Sequence, residues 1–81
     1  MIEKDLRRAV ALLAQGDWQA AHLIVQEDEE SPFSCWAHGI VHLMEGDVPN
    51  ARYWYRAAGR VLRDDVVVRD EIAALSASLE A

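Results

Sequence analysis

Cys35, His38, His42 and Glu45 follow one another at spacings of three, four and three residues. On a helix these spacings place all four on one face, a row of side chains able to ligate a metal. Reach narrows the set. Cys35 and Glu45 stand roughly 15 Å apart along a helix, whereas zinc ligands lie ~2.0–2.3 Å from the ion. The chemically coherent core is His38 and His42, one turn apart, with His22 or Glu45 as third ligand. Zinc or another divalent metal is the cofactor such a set would take, and an open fourth position would let it activate water. This metal or hydrolytic site around His22, His38 and His42 is the rival reading. The reading preferred on sequence grounds has no cofactor: His38 and His42 bond to a tyrosine, asparagine or carbonyl inside a helical stack, and His22 points at the same interior from the second helix.

Other reactive arrangements are missing from the sequence. No Gly-x-Ser-x-Gly elbow is present, and Ser31 and Ser34 fall where a helix begins. Gly16, Gly39, Gly46 and Gly59 are too scattered for a phosphate loop. Cys35 has no cation nearby in sequence to activate a thiolate. Glu45 and Asp47 flank a turn, as a helix end and a cap would. These features favour a non-enzyme.

The elements that must position the histidines are helices. Ile2, Leu6, Ala9, Val10 and Leu13 recur at steps of three and four, the mark of an amphipathic helix. Gly16 supplies a stop and Asp17 a cap for a second helix from Trp18 to about Glu29. Ser31-Pro32 opens a third, with a capping hydroxyl and proline at its first position, running to Glu45. Gly46 ends it, and Asp47 caps a fourth that is expected to reach about Arg63. Asp64-Asp65 then caps a fifth over 65–80, with Val68, Ile72, Leu75 and Leu79 on its apolar side. Val66-Val67-Val68 is locally strand-like, but no partner strand exists elsewhere.

The bend recurs. Gly16-Asp17 returns as Gly46-Asp47 and Ala21 as Ala51, an offset of 30 residues close to the ~34 of tetratricopeptide hairpins. Small residues (Ala9, Gly39, Ala21, Ala51, Ala58) sit where paired helices must approach, with Leu12 and Tyr55 filling beside them. The central segment resembles the tetratricopeptide superfamily at these residues. It is similar, more closely, to a helical family of uncharacterised function with the wording W-x-H-G-x-x-H-x-x-E-G-D-x-x-N-A-x-Y-W-[YF]-R-x-x-G. The matching residues are Trp36, His38, Gly39, His42, Glu45, Gly46, Asp47, Asn50, Ala51, Tyr53, Trp54, Tyr55, Arg56 and Gly59. Upstream, Ala21-His22 and Gln26 match an A-H-x-x-x-Q element. The likeness covers roughly residues 20 to 60 and departs from the family at Leu43-Met44 and Ala57-Ala58, where arginines would stand. It implies a fold and no particular activity. The expected architecture is therefore all-α, a single domain over 1–81: hairpin 2–30, hairpin 31–63 and a capping helix 65–80.

Eighty-one residues, 52% of them hydrophobic, suffice for one small core. The net charge of −6 argues against nucleic acid, which requires a basic face. The longest aliphatic run, Ala9 to Ala14, is far short of the ~20 residues of a membrane span. The N-terminal Met-Ile-Glu-Lys-Asp lacks signal-peptide order, and a lone cysteine suits a reducing compartment. A cytoplasmic location is expected. No cation lies between positions 9 and 51, whereas Arg52, Arg56, Arg60 and Arg63 form an expected stripe on the fourth helix. That stripe would either pair with the Glu27–Glu30 run or receive an acidic peptide. Phe33, Trp36, Ile40 and Leu43 form a second apolar side on the third helix. It would be covered by the fifth helix or would bind a partner helix or a second copy. The expected function is thus a small protein-interaction module. Phe33, Trp36, Ile40, Leu43, Arg52, Arg56 and Arg60 are its candidate partner-binding residues, and Leu6, Val10, Leu75 or Leu79 its candidate homodimer contacts.

Overall fold

The computed structural model describes residues 3–81; Ile2, expected in the first apolar row, lies outside the described residues. Among these, the chain forms five helices and no strand: α1 Glu3–Ala14, α2 Trp18–Val25, α3 Pro32–Glu45, α4 Val48–Ala57 and α5 Val68–Glu80. The first pairs with the second and the third with the fourth. The central helix α3 packs against all the others. None of these helices is long and apolar enough to cross a membrane.

The two bends are built alike. The Asp17 N–H donates to Leu12 O and the Asp47 N–H to His42 O, both at 2.9 Å, closing a Schellman turn around a left-handed glycine. Each aspartate then accepts from the backbone three residues on, Asp17 from Ala20 at 3.1 Å and Asp47 from Asn50 at 3.3 Å. Ala21 and Ala51, the small residues of the next turn, are fully buried. The same glycine–aspartate pair thus ends one helix and starts its neighbour at a fixed angle.

Three helix boundaries depart from expectation. The fourth helix stops at Ala57, six residues early, because Gly59 takes φ +75 and the Arg60 N–H donates to Tyr55 O in a third Schellman turn. Arg60 and Arg63 therefore lie beyond the helix, and the four-arginine stripe does not form. The second helix stops at Val25 rather than Glu29. There Asp28 accepts from Ser31 and Glu30 N–H, both at 3.0 Å, so this carboxylate, and not the Ser31 hydroxyl, organises the entry to α3. The Asp28 carboxyl pKa is lowered to about 2, with the Ser31 N–H bond as the largest cause. The fifth helix begins at Val68, with extended Val67 before it and no side-chain cap from Asp64 or Asp65. The β-branched pair Val66-Val67 keeps its extended preference, since no helical neighbour there repays the change.

α5 settles the question of the second apolar side. Its Leu75 and Leu79 are buried against Leu6 and Val10 of α1 and Trp36 and Ile40 of α3, all within one core. The expected dimer contacts Leu6, Val10, Leu75 and Leu79 are thus internal. Polar ties secure the lid. Arg7 donates to Leu79 O at 2.9 Å and to Glu80 at 3.1 Å. The Tyr55 hydroxyl donates to Glu71 Oε1 at 2.6 Å, and Trp36 Nε1–H donates to the same oxygen at 3.3 Å.

Candidate metal centre

Three imidazoles meet between the two hairpins. His22 comes from the middle of α2, whose N-terminus Asp17 fixes, and His38 and His42 from successive turns of α3. One ring nitrogen from each lies within 4.8 Å of the other two. The Nε2 atoms of His22 and His38 are 3.2 Å apart. Two nitrogens on one tetrahedral zinc at ~2.0–2.1 Å stand roughly 3.3 Å from each other, so this pair already has the spacing of shared ligands.

The surroundings fix two of the rings. His42 Nδ1 meets Glu45 Oε1 at 2.9 Å, which leaves its Nε2 available as a ligand atom. A carboxylate behind a ligating histidine is the usual means of orienting the ring and raising its basicity. His38 stacks on the Trp54 indole with centroids 3.8 Å apart and planes 8° from parallel. His38 and His42 are buried, at 3% and 6% exposure, whereas His22 is only half-buried and reaches the surface.

His38 bonds to His22 rather than to the tyrosine, asparagine or carbonyl expected of it. Its Nδ1 is buried without a hydrogen-bond partner, and its Nε2 meets only another imidazole. Among the described residues, no tyrosine, asparagine or carbonyl engages it. Burial, and then the adjacent His22 and His42, push its pKa down to about 4, so the ring is neutral at physiological pH. Neutral imidazole is the form that ligates metals. A second set, His42, Glu45 and Asp47, also comes within 4.8 Å. Both carboxylates there are already engaged, Glu45 with His42 and Asp47 as the α4 cap.

The remaining predicted residues separate. Cys35 is buried and donates its S–H to Glu29 O at 3.4 Å, apart from the histidines; burial and then Asp28 and Glu29 push its thiol pKa up. Trp36 and Ile40 are buried beneath α5 and present no surface to a partner; Leu43 is half-buried and Phe33 exposed. Arg52 and Arg56 are exposed on α4, and among the described residues neither forms an ion pair, with the Glu27–Glu30 run or otherwise. Arg60 instead lies over the Trp36 ring, 3.5 Å from its centroid. Two contributors went unassigned in the sequence: Trp54 as the wall behind His38, and Glu71 as the acceptor for Trp36 and Tyr55. Trp54 carried a signal, three residues after the close-packed Ala51 and so on the same face of α4. Glu71 carried none.

No protein-family model, no curated protein and no solved structure matches this chain.

Proposed function

We propose that this protein binds one divalent transition-metal ion through His22, His38 and His42, with Glu45 orienting His42 from behind. The observation that carries the proposal is the convergence of three imidazole nitrogens within 4.8 Å from two different helices. An all-nitrogen imidazole set suits zinc, copper or nickel and is poor for magnesium or calcium. Elemental analysis of protein purified without a histidine tag is expected to find one zinc per chain. Zinc at a hundred times its Kd is expected to stabilise the fold by about 2.7 kcal/mol, and His42→Ala to abolish the gain. An unchanged melting temperature in zinc and in chelator alike would remove the metal reading.

The scaffold is read as a pair of tetratricopeptide-like hairpins closed by a capping helix, supported by the repeated glycine–aspartate bends and the buried Ala21 and Ala51. A second reading keeps the interaction module and moves its surface. With Trp36 and Ile40 under α5, the face left is Arg52, Arg56 and the adjoining Val61, which is 85% exposed. Unpaired guanidinium groups on a chain of net charge −6 favour an acidic peptide as partner. Fluorescence anisotropy with a labelled glutamate-rich peptide is expected to show salt-sensitive binding, weakened at least tenfold by R52E/R56E. Equal binding by the variant would sink this reading.

A further inference from the structure

We infer that the ion held by His22, His38 and His42 keeps one exchangeable coordination position, and that this position takes water or a small anion. The inference rests on the metal reading above and adds the chemistry of the site. A structural zinc is closed by four protein ligands, whereas a reactive one has three and an open position. Each neighbouring group able to supply a fourth already makes one bond of its own, the two carboxylates through a single oxygen each. The Glu45 carboxylate is bound to His42 Nδ1 at 2.9 Å. The Asp47 carboxylate caps α4 through the Asn50 N–H. The Cys35 thiol donates to Glu29 O, toward the α2–α3 loop.

Charge and access point the same way. Three neutral imidazoles neutralise none of the ion's double positive charge, and two of them are buried, in surroundings where an uncompensated charge is costly. An anionic fourth ligand offsets that charge directly. His22 is the half-buried member of the set, so exchange with solvent runs along its side. Trp54, itself buried, covers a face of the His38 ring. The site thus holds a Lewis acid with one face wet. Water bound there would ionise near pH ~7 instead of ~15.7, and azide, cyanate or a small carboxylate would compete for the same place.

Cobalt(II) makes the open position visible, because its d–d absorption responds to each change of ligand. The cobalt protein is expected to show the intense bands of a tetrahedral site at one equivalent. Azide should shift those bands saturably, one azide per cobalt. Failure to take up one equivalent of cobalt, zinc or copper overturns the metal reading itself. Stoichiometric, tetrahedral cobalt whose spectrum ignores azide and ignores pH between 6 and 9 leaves that reading standing and overturns the open position. The Glu45→Gln variant separates orientation from ligation. It should bind cobalt about 10–100-fold more weakly while keeping the azide response. An azide response that appears only in this variant would identify Glu45 as the fourth ligand and overturn the inference. Dimerisation driven by metal, with azide ignored, would assign the fourth ligand to a second copy and overturn it equally.

Discussion

Unfolding in urea with chelator present is expected to show a loss of about 3 kcal/mol of stability as the pH falls from 6.5 to about 4. The cause is His38. In the unfolded chain its imidazole takes a proton near the ordinary value of 6.5, whereas in the fold burial and then His22 and His42 lower that value to about 4. Between these limits the unfolded state binds more protons than the folded one, so stability rises with pH and drains away as pH falls. Below about 4 both states are protonated at this ring and its contribution is flat. The Asp28 carboxyl, lowered to about 2 with the Ser31 N–H bond as the largest cause, acts in a separate window, between its ordinary 3.8 and about 2. His38→Phe keeps an aromatic ring against Trp54 and removes the titration. Midpoints measured at pH 7, 6, 5 and 4.5 should then lose their slope. An equal slope in the variant would show that other groups carry the acid sensitivity.

Gly39→Ala is expected to destabilise the fold by about 1–2 kcal/mol, despite replacing a mid-helix glycine by the best helix former. The gain in helix propensity is about 1 kcal/mol. Against it, a Cβ at position 39 would collide with Tyr55 Cδ1 and sit 2.7 Å from Cε1 and 3.3 Å from Ala51 O. The tyrosine ring has nowhere to move. It is 1% exposed, and its hydroxyl is tied to Glu71 at 2.6 Å. Either α3 and α4 separate, loosening the close approach that Ala51 and Gly39 permit, or the Tyr55–Glu71 bond breaks and α5 loses an anchor. Chemical denaturation gives the sign. In a Tyr55→Ala background the same substitution should become neutral or favourable by up to ~1 kcal/mol, because the obstructing ring is gone. A wild-type-like midpoint for Gly39→Ala alone would mean that the two helices do not pack this closely.

Both expectations depend on side chains from different helices meeting, and this marks where the sequence was legible. The number of helices, the two glycine–aspartate bends and their offset, and the small residues at the crossings could all be read from local chemistry. A left-handed glycine, a capping carboxylate and a 3.6-residue apolar period act over a few residues, so a linear pattern displays them. The shared face of His38 and His42 was visible for the same reason. Gly59 was equally local, but the arginines after it read as continued helix, so the boundary at Ala57 was missed. Other outcomes depended on more than one segment. The side of α3 covered by α5, the stacking of His38 on Trp54, the meeting of Arg60 with Trp36, and the choice of Glu71 as acceptor each needed two helices placed at a definite angle and height. Burial energy is indifferent to which apolar partner fills a gap, and a hydrogen bond is sensitive to tenths of an ångström. Composition and spacing alone therefore determined the helices and the candidate ligands, while the tertiary packing decided that the three imidazoles face one another.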